Sequence, residues 1–160
     1  MKIQLIEPAG AFFNKQSLRV HPEVIDNAHS LIGSHLNFLK EFYDSKGIAD
    51  PNRHLCLIAI DKKAEEVISY RYFYFEPGKK YCELFAVFVS SEYRCRGIAT
   101  QLFHQALAIA SDAGCTHFTI RFGRKTRERD GLVESYKRFA MKNSDSIHFR
   151  IYYGTKIFDY

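Results

Sequence analysis

Three apolar runs, "HLCLIAI" (54–60), "EVISYRYFYFE" (66–76) and "YCELFAVFV" (81–89), follow one another with only "DKKAE" and "EPGKK" at the joins. Runs so rich in β-branched and aromatic residues read as strands. Links this short can close only antiparallel hairpins, because a parallel return needs a crossover of a dozen residues or more. The middle of the chain is therefore expected to be an antiparallel meander of three strands, with Pro77-Gly78 marking its second turn. At Gly97 the period changes. Ile98, Leu102, Ala106, Ile109 and Ala110 recur on one helical face until Gly114 stops the pattern. Because "HFTIRF" follows as a further strand, this one connection is long enough for a parallel pairing.

The flanks complete the order. "KIQLIE" reads as a short strand. Pro22 stands where a first helical residue would, and Val24, Ile25, Ala28, Leu31, Ile32, Leu36, Leu39 and Phe42 recur at helical spacing until "DSKG", which predicts one long helix. "ERDGLVESYKRFAMK" predicts a helix with Leu132, Val133, Tyr136, Phe139 and Ala140 on one face, and "IHFRIYY" and "KIFDY" read as closing strands. The order β-α-βββ-α-β-α-ββ is an α+β, sandwich-like arrangement: a mixed, mainly antiparallel central sheet with helices on both faces. A length of 160 residues, 46% hydrophobic and 26% charged, suits a single domain over 1–160 with one core. The opening "MKIQLIEPAG" lacks the apolar run of a signal peptide, and no stretch reaches the length of a membrane span. The expectation is a cytoplasmic protein with no membrane partner. Cys56, Cys82, Cys95 and Cys115 form no C-x-x-C pair, which argues against a metal site and a disulfide framework.

The formal charge of +5 favours anionic ligands, and "SSEYRCRGIATQLF" (90–103) is where such a ligand would bind. The stretch lies between a buried strand and the N-terminus of a helix, where backbone N–H groups lack helical partners and phosphate oxygens are favoured. Gly97 lets the backbone approach a ligand, Ala99 keeps the first turn slim, and Arg94 and Arg96 add charge. No Gly-Lys-Ser/Thr follows, so this is not a Walker loop. A plain solvated turn is the alternative.

"VFVSSEYRCRGIATQLFHQAL" resembles the acetyl-CoA-binding segment of the GCN5-related N-acetyltransferase superfamily, whose pattern is Arg/Gln-x-x-Gly-x-Gly/Ala, and the element order is similar to that superfamily over nearly the whole chain. The resemblance implies the acyl-CoA N-acyltransferase fold and an acetyltransferase that moves an acetyl group from acetyl-CoA to a primary amine by direct attack in a ternary complex. It further implies that the amides of Cys95, Arg96, Gly97, Ile98, Ala99 and Thr100 hold the coenzyme A pyrophosphate, and that the main chain of Val87 and Val89 pairs with the pantetheine arm like an added strand. "ESYKRFAM" resembles the family's Tyr-x-x-x-Gly-Phe helix, with Tyr136 in the tyrosine position and Ala140-Met141 in place of Gly-Phe.

The reaction needs a base, an oxyanion donor and an acid for the leaving thiolate. Glu83, fourteen residues before Gly97, stands at a spacing where some family members carry a catalytic glutamate; a plain ion pair with Arg71 or Lys80 is its alternative. An amide on the Val87–Val89 stretch suits the oxyanion. Tyr136, a phenol that stays protonated at neutral pH, suits the acid, with a core aromatic as its alternative. Arg121, Arg124, Lys125, Arg127 and Arg129 form a dense basic run, read as a solvated loop or as a contact for an acidic acceptor, the 3′-phosphate of coenzyme A or nucleic acid. The acceptor is expected to be a small-molecule or peptide amine, and a homodimer stays open. Two rival functions use the same fold: a basic nucleic-acid-binding protein and a coenzyme A-binding regulator without turnover.

Overall fold

The computed structural model describes residues 1–6, 18–28, 54–75, 78–122 and 127–160. Its strands are β1 (Lys2–Ile6), β2 (Arg19–Val20), β3 (His54–Asp61), β4 (Glu66–Phe75), β5 (Tyr81–Val89), β6 (His117–Phe122), β7 (His148–Tyr153) and β8 (Lys156–Asp159). The helices among the described residues are α1, described over 22–28, α2 (Ile98–Asp112) and α3 (Arg127–Lys142), and a 3₁₀ turn lies at Ser91–Tyr93. Of the long first helix predicted from the sequence, Leu31 to Phe42 lie outside the described residues. The two-residue strand β2 and the 3₁₀ turn had no sequence signal, since neither is long enough to show a period.

The chain forms two compact units, and β5 runs through both. The first unit contains β1 to Tyr74 of β4, the second half of β5, and α2 as far as Ala108. In it β1 pairs antiparallel with β3, β3 antiparallel with β4, and β2 parallel with Glu66 and Val67 of β4. The β3–β4 register slips between Ala59 and Ile60, so Ile68 has no opposite number on β3, and its carbonyl accepts the Ser90 N–H at 2.9 Å. β4 is buried from Val67 to Phe75 without alternation, which requires cover on both faces. Neighbouring side chains show where that cover comes from. The Tyr70 hydroxyl donates to Asn27 Oδ1 of α1 at 2.5 Å, while the Arg71 guanidinium carbon lies 6.0 Å from the centre of the Phe103 ring of α2. Successive strand residues point to opposite faces, so α1 and α2 lie on opposite sides of β4.

The second unit contains the first half of β5, then β6, α3, β7 and β8. β5 pairs parallel with β6 from Tyr81/His117 to Leu84/Ile120, β6 parallel with β7, and β7 antiparallel with β8. Here burial alternates: Cys82, Leu84, Phe118, Ile120, Phe149 and Ile151 are buried on one face. Val133, Tyr136 and Ala140 of α3 are buried as its apolar spacing predicts, Tyr136 stacking on Phe122 at 6.0 Å. The Tyr153 hydroxyl donates to Asp130 and pins the first turn of α3 to β7. The other face carries Tyr81, Glu83, His117, Thr119, Arg121, His148, Arg150 and Tyr152. Among these Tyr81, His117 and His148 stand in one cross-strand row, with ring centres 5.0 and 5.2 Å apart.

Phe118, 1% exposed and stacked on Phe149, should be costly to truncate: Phe118→Ala is expected to lower stability by about 3–5 kcal/mol. Tyr81→Ala, at a site 67% exposed, should stay within about 0.5 kcal/mol. Urea unfolding midpoints with matched slopes measure both, and equal effects would mean that the buried face is assigned to the wrong side.

Candidate active site

The turn before α2 is bent by two left-handed residues. After the 3₁₀ turn, Arg94 is extended (φ −70°, ψ 159°), Cys95 is left-handed (φ 63°) and Gly97 is left-handed (φ 76°), and α2 opens at Ile98. Left-handed residues thus flank Arg96 just before the positive end of the helix. A Cβ at Gly97 would meet no protein atom within 4 Å, so within the chain itself glycine is required there by its dihedral. Cys95 holds the same conformation with a side chain, a strain of about 1–2 kcal/mol that the surrounding bonds must hold in place.

Those bonds come from residues that the sequence did not single out. Glu23, in the first turn of α1, accepts both the Ser91 N–H (2.9 Å) and the Ser91 hydroxyl (2.7 Å). The Tyr93 hydroxyl donates to Asp61 at the end of β3 at 2.7 Å, and buried Ser90 places its Oγ 3.3 Å from His21 Nδ1. Arg94 donates through Nε to the Val89 carbonyl at 3.0 Å, with its guanidinium over Phe88; Arg96 donates to the Glu92 carbonyl at 3.0 Å and lies over Tyr93. Both arginines thus brace the turn as well as charging it. Cys95, Arg96, Gly97 and Thr100 are exposed, Ala99 is half-buried, and Ile98 anchors the helix in the core. With Ser90 N–H directed at β4, strand alternation turns the main-chain groups of Val89 and Val87 to the other edge.

In the second unit Glu83 lies between buried Cys82 and Leu84 but points to the opposite face, its side chain 28% exposed. Its partner is Arg121, Nε to Oε2 at 3.6 Å, rather than the Arg71 or Lys80 considered from sequence. Arg71 is fully buried on β4 in the other unit. Burial raises the Glu83 carboxyl above its ordinary range, and the Arg121 cation and hydrogen bond oppose the rise. Tyr136 is 2% exposed and packs on the helix-covered face, opposite to the side on which Glu83 projects. Of the basic run, Arg121 stands on β6, Arg124 and Lys125 lie outside the described residues, and Arg127 and Arg129 fall in the first turn of α3. Among the described residues no helix is long and apolar enough to cross a membrane.

A mixed, mostly antiparallel sheet in which the crossover from β5 to β6 delivers a helix N-terminus to a left-handed turn is the acyl-CoA N-acyltransferase fold. The model of the Acetyltransferase (GNAT) family matches residues 25–140, and the chain belongs to that family. No curated protein matches the sequence. Solved structures with similar folds include Tetrahymena GCN5 (13% identity, TM-score 0.54, 86% of this chain and 77% of that one). Others are a ribosomal-protein-alanine N-acetyltransferase from Brucella melitensis biovar Abortus 2308 (18%, 0.50, 84% and 89%) and an aminoglycoside acetyltransferase from an uncultured soil metagenomic sample (16%, 0.50, 87% and 91%).

The tethers of the turn make its order pH-dependent. The Ser91 hydroxyl, then its amide, hold Glu23 below the usual carboxylate range, and the Tyr93 hydroxyl, then the Lys63 amide, do the same for Asp61. Carboxylates lowered by folding stabilise above their ordinary pKa, and that contribution is lost as pH falls through the lowered values. Amide exchange across 91–97 is therefore expected to quicken, after correction for intrinsic rates, as pH drops below about 4. Glu23→Gln should remove part of the pH dependence, and a profile identical to wild type would deny Glu23 the tethering role.

Proposed function

We propose that the protein is an acetyl-CoA-dependent N-acetyltransferase, its 160 residues acting as one catalytic domain that acetylates a primary amine by direct attack on the thioester. The observation that carries the reading is the left-handed pair Cys95 and Gly97 at the head of α2, in a chain of the GNAT family. In this reading the amides from Cys95 to Thr100, with Arg94 and Arg96 beside them, hold the pyrophosphate, and the outward main chain of Val87 and Val89 takes the pantetheine arm. An amide of that same stretch takes the developing oxyanion.

Glu83 accepts the ammonium proton, directly or through a water. Its burial supports the role, because a carboxylate with a raised pKa is a stronger base near neutral pH. The neutral amine attacks the carbonyl carbon, the C–S bond breaks as the tetrahedral adduct collapses, and Tyr136 supplies the proton that the thiolate takes. The proton lost from nitrogen after attack restores the tyrosine through solvent, so one turnover releases N-acetyl product, thiol and one proton.

Two sets of variants test the assignment. Gly97→Glu puts an anion where the pyrophosphate would lie and should abolish acetyl-CoA binding in calorimetry while the circular dichroism stays native; unchanged affinity in a folded variant removes the phosphate-turn assignment. For the chemistry, Tyr136→Phe should cut turnover by about 10²- to 10⁴-fold with little change in acetyl-CoA affinity. Glu83→Gln should lower the rate most at neutral pH and recover partly as rising pH supplies free amine, because the limb governed by the Glu83 carboxyl is gone. Wild-type turnover in Tyr136→Phe would leave that residue a core aromatic, and an unshifted profile in Glu83→Gln would pass the base role to another group.

A further inference from the structure

Arg121 is set up for a ligand. Its guanidinium carbon lies 4.1 Å from the centre of the Tyr152 ring, which fixes the plane of the group, yet the side chain is 54% exposed. Tyr152 is itself held, since its side chain interacts with Arg150, and Arg150 donates to Asp159 Oδ2 at 2.9 Å. The row Asp159–Arg150–Tyr152–Arg121–Glu83 thus crosses β8, β7, β6 and β5 on one face of the second unit. Arg150 is occupied by its aspartate. Arg121 has one described ion-pair contact, its Nε at 3.6 Å from Glu83, which is long for a tight pair and leaves both Nη groups without a described partner. The site therefore presents a flat, exposed two-pronged cation beside a largely buried carboxylate.

A ligand that satisfies both groups must carry a cation and an oxyanion separated by little more than the gap between Glu83 and Arg121. A zwitterion whose ammonium and carboxylate share one carbon meets that requirement, replacing one long ion pair by two. We propose that the acceptor is a free α-amino acid, its α-ammonium held by Glu83 and its α-carboxylate by the Nη edge of Arg121, so that the acetyl group is placed on the α-nitrogen. The planar fork of Arg121 suits the planar carboxylate, and its stacking on Tyr152 lowers the entropy lost when the pair forms. Binding also draws the guanidinium charge toward the substrate carboxylate and leaves Glu83 to the amine. The bond changes are those given above: the N–C bond forms, the C–S bond breaks, the first ammonium proton leaves by Glu83, and the thiolate is protonated by Tyr136.

The proposal rests on the acetyltransferase reading, and the experiment separates the two. Thiol release from acetyl-CoA is followed with the common L-amino acids, with their C-terminal amides, and with an aminoglycoside and a peptide as carriers of amines that lack an α-carboxylate. At least one amino acid should be acetylated on its α-nitrogen, by mass spectrometry, with kcat/KM about 10- to 100-fold above that of its amide, the range for a hydrogen bond to a charged group. Arg121→Ala should collapse that preference mainly through KM, and Arg121→Lys should restore only part of it, because the charge returns without the fork. Acetylation of the amides or of the carboxylate-free amines at the rate of the amino acids would overturn the inference and leave the acetyltransferase standing. So would an acid-to-amide ratio unchanged in a folded Arg121→Ala. No acetylation of any amine by a wild-type protein that binds acetyl-CoA would overturn both.

Discussion

A parallel strand pair cannot be closed by a tight turn, and the candidate site grows from that constraint. β5 lies parallel to β6, so the chain must leave the end of β5, cross over as α2 and return. A crossover helix leaves its first amides without helical partners where it begins. The chain turns there through two left-handed residues, Cys95 and Gly97, one of them strained. The carboxylates of Glu23 and Asp61 are what make such a turn tolerable: each removes a donor of the turn, at Ser91 and Tyr93, from competition with water. Elements distant in sequence thereby converge on a single segment of seven residues, 91–97.

In the second unit the placement of the candidate residues depends on alternation. β5, β6 and β7 are alternately buried and open in the second unit, so Cys82 and Leu84 anchor the strand while Glu83 between them faces the open side. Burial raises its carboxyl and Arg121 opposes the rise, so its basicity is set by a balance between desolvation and one arginine. Tyr136 lies across the sheet on the helix-covered side, buried against Phe122.

Much of the architecture was legible in the chain because period and length carry it. The strands of the meander, α2, β6 and α3 fall within a residue or two of the runs that predict them, and the turn before α2 is marked by glycine after arginine at a change of period. The second parallel pairing, β6 to β7, was permitted by the helix between the two runs but not required by it, since nothing in "HFTIRF" or "IHFRIYY" distinguishes a parallel neighbour from an antiparallel one. β2 and the 3₁₀ turn were too short to show periodicity. Nor could the tethers be read: Glu23, Asp61 and His21 look like ordinary surface residues until the fold brings them to the turn.

By itself, then, the sequence determined the order and type of the elements, the place of the turn before α2 and the residue types at Glu83, Gly97 and Tyr136, because backbone dihedrals and apolar periods are local properties. Only the tertiary structure decided which charge faces which. Glu83 meets Arg121 rather than Arg71 because strand register and alternation, not proximity in sequence, set the neighbours across a sheet. Arg121 in turn acquires its orientation from Tyr152 and Arg150, thirty residues further along the chain and one strand away. Charge pairing acts through space over a few ångströms, and the distances through space exist only once the strands have chosen their partners.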